Sequence, residues 1–405
     1  MTHPALTTSA IALPHGDPSP RPRRHLVLAG GGHSHVLVLQ LWLRRPALRP
    51  PHTRISLVSR QPRALYSGLL SALIAERVTR PQASIDLQRL CRLAGVTFRQ
   101  AEIIGLDPRA QLLWLRDQAP LGFDLLSLDV GAVVDGNAQQ LGLPSPNRAM
   151  AAEVVQPRGS VAGTETSAAA TEAPALELPI KPLEPLLARL EQLPAGRELR
   201  LRGGGAAAVE LALALKARGH PCRLLLRGKG LRLGNAAAAR AAERLLQQAG
   251  IPLQRQASAT APADLLCTGS RAPAWLAAAG LPVQAHTGRL LTEASLQVRG
   301  HPQLFACGDC AVVAAQPRPA AGVWAVRAAD TLARNLHRRL SQPPRPLSNW
   351  RPPPWALQLL GDPGATPRAI AWWGPLSWGP STWLWRWKQR IDRRFVASFD
   401  QLTQV

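Results

Sequence analysis

The chain has 405 residues, 46% of them hydrophobic, and a formal net charge of +23 carried almost wholly by arginine, because lysine occurs only at Lys181, Lys216, Lys229 and Lys388. That length accommodates two or three domains of ~100–200 residues, and the apolar content is that of a soluble globular protein with true cores. No apolar run approaches the ~20 residues of a membrane-spanning helix, and Met1–Pro22 lacks the apolar segment of a secretory signal, so the cytoplasm is the expected compartment. The charge raises nucleic-acid binding as a reading, but the arginines are spread along the chain without an RNA- or DNA-binding motif, and no nucleic-acid partner is expected. Cys91, Cys222, Cys267, Cys307 and Cys310 are too few and too scattered for a disulfide framework.

In chain order, the proline-rich residues 1–23 read as a flexible tail. His25–Gly30 reads as a strand, Gly30, Gly31 and Gly32 as a turn, His33 to about Trp42 as a helix and Arg54–Ser59 as the next strand. This is the opening unit of a doubly wound sheet. Ile85 to Ala94 looks helical, segments such as Gln111–Leu115 suggest a small antiparallel layer, and Phe123–Val130 is a buried strand ending at Gly131. Residues 136–178, rich in Ala, Pro, Ser, Thr and Gly, read as a linker or loosely ordered insertion.

A second such unit follows: strand Arg197–Arg202, a turn at Gly203, Gly204 and Gly205, helix Ala206–Arg218 and strand Cys222–Arg227. Asn235 suits the N-cap of a helix running through Gln248. Ala263–Cys267 is another buried strand, Gln303–Asp309 a strand entering a turn, and Ala320 to Leu340 a long helix. From Pro343 the composition changes: this segment holds eight of the twelve tryptophans, together with Arg386, Lys388, Arg390, Arg393 and Arg394. Glycines between a strand and a helix let the backbone approach a diphosphate seated on the free N–H groups at the helix start. Two such turns, about one domain apart, point to two nucleotide pockets facing each other.

Several motifs together resemble the two-dinucleotide-fold flavoproteins of the pyridine nucleotide-disulfide oxidoreductase superfamily. The likeness is strongest to the type II NADH dehydrogenase-like group, in the branch sometimes fused ahead of selenophosphate synthetase. It is carried by Gly30-Gly-Gly-His-Ser-His-Val36, Tyr66-Ser-Gly-Leu-Leu70, Ile180-Lys-Pro182, Gly203-Gly-Gly-Ala-Ala-Ala-Val-Glu-Leu-Ala212, Cys307-Gly-Asp309, Ala321-Gly-Val-Trp-Ala-Val-Arg327 and Trp387–Phe395. It spans about Arg24 to Phe399, with no synthetase segment after it, which describes a free-standing redox module.

The resemblance implies an α/β chain of two Rossmann-like domains in three layers, FAD in the first and NAD(P)H in the second. The FAD domain would comprise residues 24–135 and 289–342, the NAD(P)H domain 179–288, and a Trp- and Arg-rich segment 343–405. Hydride would pass from nicotinamide to flavin, and electrons onward to a quinone-like or small acceptor. A selenium compound handled with a separate selenophosphate synthetase follows from the fused branch alone. A flavin-binding regulatory or degenerate module with little turnover is the alternative.

By the same resemblance Gly30, Gly31, Gly32 and His33 would seat the FAD diphosphate, with His35 in place of the usual third glycine. An acid expected at the end of the second strand is replaced by Ser59 and Arg60. Asp309, after Gly308, would hold the ribityl chain. Gly203, Gly205 and Ala208 would cradle the NAD(P)H diphosphate, with Glu210 near the nicotinamide. The following strand ends at Arg227-Gly-Lys229, a cationic end suited to the 2′-phosphate of NADPH, whereas NADH usually meets a carboxylate.

Three readings stay open on the residues alone. Cys307 and Cys310 form a CxxC that serves either as a dithiol relay or as structure. The chain between Gln254 and Ala263 is short where relatives carry an extra meander, and Ala328 and Ala329 stand where relatives show Gln-Gly. The C-terminal aromatics and cations suit either a peripheral membrane contact or a packed cap. No metal cluster is expected.

Overall fold

The computed structural model describes residues 24–134 and 176–402. The tail assigned to residues 1–23 therefore lies outside the described residues, as does nearly all of the linker assigned to 136–178. Strand β1 (Arg24–Ala29) runs into helix α1 (His33–Arg44) and strand β2 (Thr53–Ser59). Residues expected to be helical from Ile85 instead pair first as a short strand, Ser84–Asp86, against Arg63–Leu65. The Asp86 side chain accepts the Arg89 N–H at 2.8 Å, so the helix α2 it caps is confined to Leu87–Leu93. Strand β3 (Thr97–Gln100) follows, then an antiparallel meander over residues 103–122 that matches the expected layer, then strand β4 (Leu125–Leu128).

Leu178, expected to be the last residue of the linker, instead begins strand β5 (Leu178–Pro179) of a second sheet, paired in parallel with Leu265–Leu266. Helix α3 (Leu183–Glu191), strand β6 (Leu199–Arg202), helix α4 (Ala206–Ala217) and strand β7 (Cys222–Leu225) come next. Asn235 caps helix α5 (Ala236–Gln248) as expected, its Oδ1 accepting the Ala238 N–H at 2.8 Å. Strands β8 (Leu253–Gln254) and β9 (Leu265–Leu266) complete a five-stranded parallel sheet in the order β5-β9-β6-β7-β8. Among the described residues no strand lies between β8 and β9, in line with the short sequence there.

The chain then returns to the first sheet with strands β10 (Leu290–Thr292), β11 (Gln297–Val298), β12 (His301–Ala306) and β13 (Ala311–Val313), and helix α6 (Gly322–Leu340). The first sheet has eight strands in the order β13-β10-β11-β12-β4-β1-β2-β3, parallel from β12 through β3. Its faces follow from the two-residue strand period. Leu26 and Leu28 meet α1 and α6 through Val36, Leu39, Leu332 and Leu336, whereas Val27 and Ala29 pack on the other face with Leu113 and Leu276. A sheet buried on both faces explains the near-continuous apolar runs of β1 and β4.

The C-terminal segment, expected to make either a peripheral membrane contact or a packed cap, is a sheet and a long helix packed on the rest of the chain. Strands β14 (Gln358–Asp362), β15 (Arg368–Trp373) and β16 (Leu376–Ser381) form an antiparallel sheet leading into the 19-residue helix α7 (Thr382–Asp400). Trp372 packs into the core of the second domain, so tightly that a Cβ on Gly234 would lie 2.2 Å from its Cδ1. Leu384 and Trp385 bury one face of α7 on β15, while Phe399 reaches the core of the first domain. No helix among the described residues is long and apolar enough to cross a membrane.

Candidate dinucleotide sites

Both glycine turns lie at the C-terminal edges of parallel strands, where doubly wound sheets bind ligands. In the first, Gly30 has φ +99° and its N–H donates to Val58 O at 2.8 Å. A Cβ at Gly31 would lie 3.2 Å from Ser59 Oγ and 2.6 Å from Leu87 Cδ1, so this turn closes tightly against the end of β2. The N–H groups of Gly31, Gly32 and His33 have no partner among the described residues. They form a ready set of donors for an anion. Ser59 adjoins the turn, whereas the Arg60 side chain is exposed.

His35 takes the place of the usual third glycine by being fully bonded inside the protein. Its Nδ1 meets Gly30 O at 2.7 Å and its Nε2 meets Ser127 Oγ at 2.8 Å. Nδ1–H must be the donor to the carbonyl, and burial pushes the ring's pKa down to about 4, so it is neutral and Nε2 accepts the Ser127 hydroxyl. His33 packs edge-on to Tyr66 with ring centroids 5.4 Å apart, and Tyr66 stacks on Phe395 at 4.6 Å. Burial lowers the His33 pKa, with Asp309 opposing and Lys181 reinforcing the shift.

Asp309 follows Gly308, which has φ +70°, and its Oδ2 accepts Lys181 Nζ at 2.7 Å. Lys181 lies just past β5, so this ion pair joins the two domains directly beside the first glycine turn. Neither Lys181 nor Tyr66 stood among the expected site residues. Asp129 was also missed: it lies just past β4, 3% exposed, and its Oδ2 accepts the Ser34 N–H at 2.8 Å. Its signal was an acid ending the apolar run before Gly131.

Cys307 and Cys310 are buried, and the Cys310 thiol donates to Cys307 O at 3.2 Å. Burial first, then the Asp129 charge, pushes the Cys310 thiol up to about 12, and Cys307 is raised for the same reasons. A dithiol relay needs an accessible thiolate. Neither condition is met here, and the geometry favours the structural alternative. Among the described residues no group of three His, Cys, Asp or Glu side chains could hold a metal.

In the second turn Gly203 has φ +151°, and a Cβ there would lie 2.5 Å from Cys267 O. Gly205, the N-cap of α4, has open space where its Cβ would point. The turn therefore presents backbone to open space at a helix start, which a diphosphate would suit. Ala208 is buried within α4 and Arg227 is exposed beyond β7. Glu210, expected near a nicotinamide, is already engaged: its Oε1 accepts the Gly361 N–H at 2.7 Å and lies 3.9 Å from Lys388 Nζ.

Lys388 in turn donates to Gly68 O at 2.6 Å and to Asp392 Oδ2 at 2.8 Å, and Tyr66 OH donates to Asp392 Oδ1 at 3.0 Å. Burial by itself would depress Lys388, but Glu210 and Asp392 outweigh it and its pKa is raised. Burial, then Asp392, raises the Tyr66 phenol, so it stays protonated. This chain of contacts runs from the ring beside His33 to the helix of the second domain by way of α7.

Fold and turns together define a two-dinucleotide-fold architecture. No protein-family model matches the chain and no curated protein matches it in sequence. Its fold is that of several solved oxidoreductases. It is similar to the sulfide:quinone oxidoreductase of the hyperthermophilic bacterium Aquifex aeolicus at 15% identity and TM-score 0.66, covering 93% of this chain and 91% of that one. It is similar to the ferredoxin reductase for the CYP199A2 system of Rhodopseudomonas palustris at 17% identity and TM-score 0.62, covering 87% and 89%. An engineered water-forming NADPH oxidase, solved with NADPH bound, matches at 15% identity and TM-score 0.60, covering 94% and 91%.

Proposed function

We propose that this chain is an FAD-dependent oxidoreductase that takes hydride from NAD(P)H and passes electrons to a small acceptor. The observation that carries it is the pair of glycine turns, each opening a helix at the C-terminal edge of parallel strands in its own sheet. FAD, when bound, supplies the ring that accepts hydride and releases electrons. In this reading the N–H groups of Gly31, Gly32 and His33 bind its diphosphate, and Ser59 lies at the adenosine end. Asp309, held by Lys181, would meet the ribityl hydroxyls, and Tyr66 and His33 would wall the site.

The Gly205 turn would take the pyridine nucleotide. Arg227 and Lys229 beyond β7, with no carboxylate at the strand end, support NADPH over NADH. The acceptor we favour is quinone-like. A selenium compound, with a separate selenophosphate synthetase as partner, rests on the resemblance alone. Contact with an anionic membrane surface is supported by α7, which carries Trp383, 66% exposed, and the exposed Arg386, Arg390, Arg393 and Arg394. The engagement of Glu210 favours, as a second reading, a flavin-bearing regulatory module with little turnover.

The test is the visible absorption spectrum of the purified, FAD-loaded protein before and after anaerobic NADPH, then NADH. A flavin band bleached by NADPH supports the reading, and bleaching by NADH alone reverses the coenzyme preference. A flavin that stays oxidised supports the regulatory module. Absence of flavin after FAD is supplied removes the proposal.

A further inference from the structure

We infer that Asp129 couples dinucleotide binding at the first glycine turn to the uptake of one proton. This rests on the reading that FAD binds there. The Asp129 carboxylate sits at the start of α1, accepting Ser34 N–H at 2.8 Å and His35 N–H at 3.4 Å. These are the second and third residues of the helix, whose N–H groups a free helix end would offer to a bound anion.

The surrounding glycines are shaped to this side chain. A Cβ on Gly32 would lie 2.2 Å from the Asp129 carboxyl carbon, and one on Gly308 would lie 2.1 Å from its Oδ1. A Cβ on Gly30 would meet the Asp129 backbone oxygen at 2.2 Å. Three glycines thus hold an acid of the chain itself against the cradle.

No cation among the described residues pairs with this carboxylate. From α1 it faces Ser34 and neutral His35, with His33 the residue before Ser34 in the helix. From the turn after β12 it faces the Cys307 and Cys310 thiols and Asp309, whose charge repels it. Lys181 is paired with Asp309. Arg289, which interacts with Asp309 and Cys310, is tied to Arg318 O and Ala311 O. Burial raises the Asp129 carboxyl to about 7, against the opposing pull of its backbone hydrogen bonds.

A diphosphate brought to the same helix end would add two negative charges beside an ionised carboxylate, where the helix offers only about half a positive charge. Protonation relieves this. The carboxyl oxygen still accepts the Ser34 N–H, and the new O–H can donate to a phosphate oxygen. The sign follows from linkage. Below about pH 7 the group is protonated before FAD arrives, and affinity is flat. Above it, each pH unit weakens FAD binding about tenfold until the bound-state pKa is passed.

The experiment is FAD titration of the apoprotein by flavin-fluorescence quenching from about pH 6 to about pH 9, with calorimetry at about pH 8 in two buffers of different ionisation enthalpy. The expected result is roughly tenfold weaker binding at about pH 8 than at about pH 6, with uptake of close to one proton per FAD. Asp129→Asn should flatten the profile and abolish the uptake, whereas His33→Asn, which removes a wall of the site and is expected to lower the absolute affinity, should keep the shape of the pH profile and the proton count. If the asparagine variant does not fold, the two-buffer proton count on the unaltered protein decides alone. Binding without proton uptake overturns the inference and leaves the flavin reading intact. Uptake lost only in His33→Asn overturns it in favour of His33. No FAD binding at any of these pH values removes the flavin reading and the inference with it.

Discussion

Replacing Lys388 by methionine keeps the length of the stem and removes the charge. The ammonium is in a side chain 5% exposed, 2.6 Å from Gly68 O and 2.8 Å from Asp392 Oδ2. Its loss leaves the Gly68 carbonyl without that donor and Asp392 with Tyr66 OH as its remaining side-chain partner. Removing one member of a buried ion pair costs about 3–5 kcal/mol, because the other charge stays buried. The chain contains more than one folding unit, so the loss should appear as early release of α7 rather than as a uniform shift. Urea unfolding followed by tryptophan fluorescence reads this directly, since eight of the twelve tryptophans lie from Pro343 onward. The double variant Lys388→Met/Asp392→Leu should recover much of the loss, because an apolar pair of similar size replaces a buried ion pair at little cost. A single-variant loss below about 1 kcal/mol would refute the reasoning, by showing that water reaches the pair.

Gly203→Ala and Gly205→Ala should differ in kind. At Gly203 the Cβ meets Cys267 O at 2.5 Å, so thermal stability should fall, whereas at Gly205 it enters open space, so stability should hold while NADPH affinity by calorimetry drops about tenfold, some 1.4 kcal/mol. Arg227→Glu should reverse the coenzyme preference, and unchanged NADPH and NADH affinities would remove the role given to that side chain. Asp309→Ala should strip the Lys181 partner and weaken FAD retention on gel filtration, with Lys181→Met giving a smaller effect. Cys307 and Cys310 should resist a thiol reagent in the folded protein at about pH 8 and react fully in urea, because the thiolate forms at a raised pKa and the sulfurs are buried. Fast labelling of the folded protein would revive the dithiol relay.

Much of the fold was legible because local signals and tertiary demands agree. Apolar strands, glycine turns and helices alternate in the two segments beginning at Arg24 and Leu199, and a β-strand followed by a helix and a parallel strand has few ways to close. Asn235 was readable as a cap because its side chain satisfies a backbone donor three residues on. The departures have equally local causes. Asp86 moves the start of α2 because a capping carboxylate defines the first turn. Leu178–Pro179 becomes a strand only because Leu265–Leu266 lies beside it, a pairing 87 residues apart in the register Leu178↔Leu265.

The sequence by itself determined the two dinucleotide folds and the places of their glycine turns, since periodicity and glycine conformational freedom are properties of short segments. Tertiary structure alone decided what surrounds those turns. It brought Asp129 against the start of α1, 95 residues away in sequence at Ser34, and Lys181 against Asp309 across 128 residues. It spent Glu210 on the C-terminal segment through Gly361 and Lys388. Such contacts are selected by packing and by the cost of burying an unpaired charge, and neither is written in any window of neighbouring residues.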